Sequence, residues 1–337
     1  MGPCLMLALS ACLTLPDFES ASIVKGPRVL AVIAEPPEIN PGQTLDLSVL
    51  VAGVDDSDDV RVTWRACGSF DGIGVGGGGA QYGEEQPDEG CGAGLAFDLG
   101  EGLTAQLPGA LTAGLFENLE VIAMTIGTDL PEGIVEQIRS SVGIAFLVEA
   151  TVRAGEKTIR ATKRVLISEN PAPHVNPPPP RFMFGRDQAI VTDREDPLRC
   201  VRDDGMPVSA RAGARVELAP LKGSVAFADA GTPDAALPDA GDTDAGAEPG
   251  STSMPDEEAW LETYNILTAQ GELRERKERA FYSWYATGGD LDSGTTKSPL
   301  SNNVWRAPGE RGEQTLWLIV RDGHGGTSAC ELTILVE

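Results

Sequence analysis

Apolar and polar positions alternate with period two over most of this chain. Thr44-Leu45-Asp46-Leu47-Ser48-Val49 and Val60-Arg61-Val62-Thr63-Trp64 are the clearest cases, and Asn40-Pro41-Gly42 stands as a turn before the first of them. Alternation puts every second side chain on one face of an extended backbone, so each stretch predicts a strand with one buried side. Arg28 to Ala34 is a further β-rich run, ended by Glu35-Pro36-Pro37. Ile144 to Arg153 and Thr158 to Ser168 predict a hairpin about Ala154-Gly155-Glu156-Lys157. Beyond it, strands are expected at Gln188 to Thr192, Pro207 to Arg211, Ala214 to Leu221, Trp260 to Leu267 and Arg279 to Ala286. Thr315 to Arg321 and Thr327 to Val336 predict a terminal hairpin around Asp322-Gly323-His324-Gly325-Gly326. Helical spacing occurs in Pro131 to Ser141, through Ile134, Val135 and Ile138, and predicts one short helix. The mixed charges of Arg274 to Arg279 suit a solvated strand edge or turn.

The prolines Pro177 to Pro180 must run extended and stiff, so the segment 169–181 is expected to be a linker between domains at 28–168 and 182–337. The two halves echo each other. Gly42-Gln43-Thr44-Leu45-Asp46-Leu47 corresponds to Gly213-Ala214-Arg215-Val216-Glu217-Leu218, the Trp64 strand to the Trp284 strand, and Val152-Arg153-Ala154-Gly155 to Val320-Arg321-Asp322-Gly323. Strand, Pro-Gly turn, alternating strand, acidic loop and Trp-bearing strand in that order resemble the opening half of an immunoglobulin-like sandwich. The stretch with Trp317, Val320-Arg321-Asp322-Gly323 and Gly326 resembles the final hairpin of PKD-like and other bacterial surface immunoglobulin-like domains. The expected fold is all-β: two immunoglobulin-like β-sandwiches in tandem, with loop insertions and one short helix.

Charge and composition narrow the partners. A formal charge of -25 excludes a phosphate-binding surface, so nucleic acid is not an expected partner, and it disfavours adsorption to anionic headgroups. No apolar run reaches the roughly 20 residues needed to span a bilayer. The stretch 228–250 is low complexity in Asp, Ala, Gly and Pro, a composition too poor in apolar area to offset the entropy of ordering it.

Attachment to a membrane would therefore be covalent. Leu5 to Leu9 is apolar and is followed by Ser10-Ala11-Cys12, and Leu9-Ser10-Ala11-Cys12 resembles the lipobox of bacterial lipoproteins, as in Gram-negative envelopes. No Lys or Arg precedes the apolar run, so the expectation is either a start upstream of Met1 or an accidental match. The resemblance implies a signal peptide at 1–11, a lipidated Cys12 and a tether at 12–27. It also implies a lipid anchor of two or three acyl chains, and two already suffice for stable binding. Thr14 is not the Asp that retains some Gram-negative lipoproteins at the inner membrane, which favours the outer membrane, facing periplasm or surface. With Cys4 removed and Cys12 acylated, Cys67, Cys91, Cys200 and Cys330 remain, an even number suited to disulfides outside the cytosol. Three pairings are open, and pairing within domains selects Cys67 with Cys91 and Cys200 with Cys330.

Catalytic chemistry finds little purchase. Gly72, Gly74 and Gly77 match G-x-G-x-x-G, yet neither the helix nor the acidic residue of a βαβ unit follows. Asp242, Asp244 and Gly246 fit only fragments of a calcium loop. The histidines are His174, in the proline linker with no ligand-type residue near it in sequence, and His324, read as a turn residue beside Asp322. No metal, cofactor or enzymatic activity is expected. The function expected is a non-enzymatic envelope or cell-surface module for adhesion, display or assembly, its partner an envelope protein or polysaccharide. The alternative is carbohydrate or substrate capture by stacking on Trp260 or Trp305.

Overall fold

A computed structural model describes residues 21–54, 59–67, 96–117, 133–221, 260–268 and 272–337. The lipobox with Cys12, the Gly72 to Gly77 loop, Cys91 and the Asp-rich stretch 228–250 lie outside the described residues.

The first sandwich follows the predicted alternation. One sheet has the order β1-β3-β6, from β1 (Arg28–Glu35), β3 (Leu45–Ala52) and β6 (Thr104–Leu107). The facing sheet has the order β2-β8-β7-β4-β5, from β2 (Glu38–Ile39), β4 (Val60–Cys67), β5 (Ala96–Glu101), β7 (Ile144–Ala154) and β8 (Lys157–Ile167). Leu45, Leu47 and Val49 from one sheet and Val62, Trp64, Val148, Ala150 and Val152 from the other meet in one core. Trp64 is fully buried there, and its indole N–H donates to the Gly102 carbonyl at 2.8 Å, so burying the large ring leaves no polar atom unpaired. The expected helix is a single α-turn, Ile134–Gln137, that continues as a π-turn, Ile138–Val142.

The second sandwich repeats this scheme within one continuous eleven-stranded sheet. Its first layer comes from β9 (Phe182–Phe184), β13 (Arg215–Pro220), β17 (Asp290–Leu291) and β19 (Asn303–Arg306). Strand β10 (Gln188–Thr192) carries the hydrogen bonding from β9 across to β11 (Arg199–Arg202). The second layer holds β11, β12 (Val208–Ala210), β16 (Phe281–Ala286), β18 (Thr295–Lys297), β20 (Gly312–Arg321) and β21 (Thr327–Val336). A separate hairpin, β14 (Thr263–Leu267) with β15 (Leu273–Lys277), stands outside that sheet; β15 is exposed along its whole length, as its charges predicted, whereas Glu278 in the same charged run is buried.

The pairing gives the internal repeat a physical form. Strand β4 pairs antiparallel with β7 and β7 with β8; β16 pairs antiparallel with β20 and β20 with β21. In each unit a short early strand then joins the last one in parallel, β2 on β8 and β12 on β21. Gly155 and Gly323, aligned by sequence, both turn at positive φ, 57° and 80°. Trp64 and Trp284 are both fully buried. This is immunoglobulin-like topology, used twice.

Cys200 and Cys330 form a disulfide with a Cα separation of 5.4 Å. Cys200 lies on a strand, β11, hydrogen-bonded in parallel to β21. A cross-link over a sequence separation of 130 removes on the order of 4 to 5 kcal/mol of chain entropy from the unfolded state. Cys67 is also disulfide-bonded.

The proline segment does not hold the sandwiches apart. Leu30, Ala31, Leu50 and Ala52, on the outer face of the first sandwich, pack with Val24 against Trp317, Ile319 and Ala329 of the second. Residues Leu316 to Val320 are therefore buried without a break: Leu316, Leu318 and Val320 enter the second core while Trp317 and Ile319 enter the junction. Both faces of β20 are covered, which accounts for its unbroken apolar run.

Candidate functional site

Beside the apolar junction lies a polar pocket, built where four chain segments converge. They are β2 of the first sandwich, the proline segment, the β14–β15 hairpin with its flanks, and the β20–β21 turn. Asn176 fastens the proline segment to both sandwiches. Its amide donates to the Ala34 carbonyl at 2.7 Å and to Glu35 at 2.5 Å, and its oxygen accepts from the Thr327 N–H at 2.8 Å. Ser328 adds a bond to the Pro178 carbonyl at 3.1 Å. From β8, Lys163 reaches across to the Gly325 carbonyl and the Thr327 hydroxyl.

The β20–β21 turn is shaped by Asp322. Its Oδ1 accepts the backbone N–H groups of His324, Gly325 and Gly326 at 2.7, 2.9 and 3.0 Å. Burial nonetheless raises its carboxyl above the ordinary range, against the pull of those donors and of Lys163. A Cβ at Gly326 would stand 1.9 Å from Asp322 Oδ2 and 2.8 Å from Pro177 Cδ, so only glycine lets the proline segment pass so close.

This turn delivers His324 to His174. The two rings, the chain's only imidazoles, lie 4.1 Å apart between centroids at an interplanar angle of 72°. Tyr264 of β14 stacks on His324 at 3.8 Å and 21°, which fixes the plane of that ring. Both histidines are largely inaccessible, with side-chain exposures of 11% for His174 and 8% for His324.

Carboxylates surround the pair. Glu262 Oε2 lies 2.5 Å from His174 Nδ1. Glu38 receives the His174 backbone N–H at 2.6 Å and the Ser168 hydroxyl, and its Oε2 stands 3.8 Å from His174 Nε2. Glu278 is buried. One of its oxygens accepts the Glu262 N–H at 2.9 Å, while Oε1 makes no hydrogen bond. That oxygen points between the imidazoles, 3.6 Å from His174 Nδ1 and 3.8 Å from His324 Nδ1.

The electrostatics follow from burying several acids together. Burial, with the nearby Asp322 and Glu262 carboxylates adding to it, pushes the Glu278 carboxyl up to about 8. Burial, reinforced by His174, lowers His324 to about 3, so its ring is neutral at physiological pH. Together His174, Glu278 and His324 offer ligand atoms that all lie within 4.8 Å of one another. Neutral imidazole and carboxylate are the donors used by zinc and related transition metals.

Sequence spacing kept these residues apart. His174 lies in the proline segment and His324 in the β20–β21 turn, as their sequence positions suggest, and the fold closes the 150 positions between them and brings acids from other segments around both. The available signal was that both imidazoles stand in segments of extreme backbone character, a proline run and a glycine turn. The stacking residues fare differently. Trp305 is fully buried, with its indole N–H donating to the Gly288 carbonyl at 3.0 Å, so it offers no face to a sugar. Trp260 is half-buried against the second core.

The class of protein defined by these observations is a tandem of two immunoglobulin-like sandwiches joined through an apolar contact. No family model and no curated protein matches the chain. Among solved structures, the D0-D1 domain of intimin is matched at 9% identity over 91% of this chain and 98% of that one, with a TM-score of 0.18. Three N-terminal domains of the bacteriophage RB49 outer capsid protein Hoc are matched at 10% identity over 92% of this chain and 59% of that one, with a TM-score of 0.18. The native conformation of the E. coli alpha-2-macroglobulin is matched at 11% identity, with a TM-score of 0.21, and the chain spans 17% of its length. Superpositions this loose carry no weight for fold or function, and the architecture rests on the strand pairing alone.

Proposed function

We propose that this chain is an exported, lipid-anchored protein of a bacterial envelope, in which two immunoglobulin-like sandwiches act as a non-enzymatic module for adhesion, display or assembly. The observation that carries the export is the Cys200–Cys330 disulfide, buried in the second core. Such bonds persist in oxidising compartments and are rare in the cytosol. The anchor rests on Leu9-Ser10-Ala11-Cys12, with Cys12 acylated, and Thr14 in place of the retaining Asp favours the outer membrane.

The junction supports the module. Separate sandwiches on a free linker would swing independently, whereas an apolar contact braced by Asn176, Lys163 and the proline segment presents both as one body. A firm body suits display of a surface to an envelope protein or polysaccharide at a set distance from the bilayer. Metabolic palmitate labelling of the wild type and of Cys12→Ser, expressed from a verified start codon, tests the anchor. Label is expected on the wild type only; equal labelling of both, or of neither, sinks the reading.

A further inference from the structure

We infer that His174, His324 and Glu278 form a binding site for a divalent transition metal, of which zinc is the type, and that the bound ion ties the proline segment to the hairpin flank and final turn of the second sandwich.

Geometry carries the inference. A zinc ion with ligand atoms at about 2.0 to 2.2 Å in tetrahedral array sets those atoms roughly 3.3 to 3.6 Å apart. The distances from Glu278 Oε1 to the two Nδ1 atoms, 3.6 and 3.8 Å, are within a few tenths of an ångström of that spacing. Oε1 is the buried oxygen that makes no hydrogen bond, and it is aimed into the gap that the ion would fill. Buried polar atoms are seldom left in that state, because each forfeits its hydration without return. A cation bound there satisfies it.

The surrounding residues fit the role of outer partners. Glu262, at 2.5 Å from His174 Nδ1 and with its side chain 37% exposed, is placed to turn onto the ion as a fourth ligand and to admit it from solvent. Coordination through Nδ1 leaves the His174 proton on Nε2, which faces Glu38 Oε2 at 3.8 Å, the carboxylate–histidine–metal arrangement. Tyr264 holds the second ring by stacking. A dipositive ion would also offset the charge of the acids gathered here. The nitrogen-rich set disfavours calcium and magnesium, which take oxygen ligands. Because its ligands come from the proline segment, the flank of the hairpin and the final turn, occupancy would fix three elements that lie far apart in the chain.

The test uses the full-length chain, stripped with chelator and titrated with Zn2+ in competition with a chromogenic zinc indicator. One equivalent is expected to bind, Co2+ is expected to give the visible absorption of a four-coordinate nitrogen and oxygen site, and Ca2+ is expected not to compete. His324→Gln and Glu278→Gln should each weaken zinc binding by at least about 10-fold, and Glu38→Gln by roughly 10-fold as a positioning residue. Failure of the wild type to bind zinc at micromolar concentration overturns the inference, as does unchanged affinity in either ligand variant with a native circular dichroism spectrum. Should both ligand variants fail to fold, the wild type decides. A Co2+ spectrum together with a melting temperature that climbs with zinc concentration upholds the site, and the lack of either removes it. None of these outcomes depends on Cys12, so the anchor and the metal site stand or fall separately.

Discussion

The junction between the sandwiches has two halves that obey different rules. One is apolar: Val24, Leu30, Ala31, Leu50 and Ala52 against Trp317, Ile319 and Ala329. The other is polar: His174, His324 and four acids, with Asn176 and Lys163 at its rim. Apolar burial is non-directional and scales with area, so the first half supplies attraction and accepts any well-shaped neighbour. The second half contributes little attraction by itself, since several buried carboxylates repel one another and each lost its hydration. Its value lies in direction: Asn176 and the imidazoles accept only one placement of the proline segment. An apolar patch sets that the domains meet, and a polar pocket sets how.

Trp317→Ala breaks this comparison most severely. The indole fills the apolar half and donates to Glu331 at 2.7 Å, so its removal leaves both a cavity and a widowed acceptor. A loss of about 3 to 5 kcal/mol is expected in denaturant unfolding. A loss under about 1 kcal/mol would show that the apolar half does not hold the junction.

The polar half should announce itself through pH. In chelator-treated protein, Glu278 holds its proton up to about pH 8 when folded but only to about 4.5 when unfolded, so stability falls as pH rises through that window. His324 titrates near 3 when folded and 6.5 when unfolded, so its contribution is lost as pH falls from 6.5 towards 3. Between 4.5 and 6.5 the two slopes oppose each other, and the raised carboxyl of Asp322 adds to the alkaline trend from 3.8 upward. Glu38, Glu262 and His174 face these groups from β2, the hairpin flank and the proline segment, and Lys163 faces Asp322 from β8. Stability should thus be greatest in mildly acid solution and fall by about 2 kcal/mol from pH 6.5 to 8, at about 1.4 kcal/mol per unit. Equilibrium unfolding in a pH series measures this; a shallower alkaline limb in Glu278→Gln, with the Asp322 part left, assigns it to Glu278, and an unchanged limb refutes the assignment.

The smallest effect belongs to the strap. Asn176→Ala removes three hydrogen bonds that join the proline segment to both sandwiches, and about 1 to 3 kcal/mol should be lost. Hydrogen exchange should rise at Thr327, whose amide loses its acceptor, while the core strand β7 stays protected. Uniform loss of protection would mean that the strap and the cores unfold as one unit.

Much of the fold was legible in the chain itself. Period-two runs located β3, β4, β7, β8 and β21 because a half-buried strand must alternate, and Trp64 and Trp284 marked both cores because so large a ring must be enclosed. The aligned turns at Gly155 and Gly323 revealed the repeat, since each needs a backbone that side chains disfavour. The pairing of Cys200 with Cys330 followed from enclosing it in one domain.

The junction was not legible, for a physical reason. Local pattern records whether one face of an element is buried, and says nothing about which distant element buries the other. The unbroken run Leu316 to Val320 signals two covered faces without naming Leu30 or Leu50 as the cover. The pocket lies deeper still: His174 and His324 are 150 positions apart, and a proline run and a glycine turn each have a local explanation that exhausts their sequence signal. Sequence by itself determined the strands, the cores and the doubling of the fold, because those depend on each residue's partition between water and interior. Only the tertiary structure decided that the two copies meet and that two imidazoles and several acids face one another, because that depends on the mutual placement of surfaces, which no local periodicity encodes.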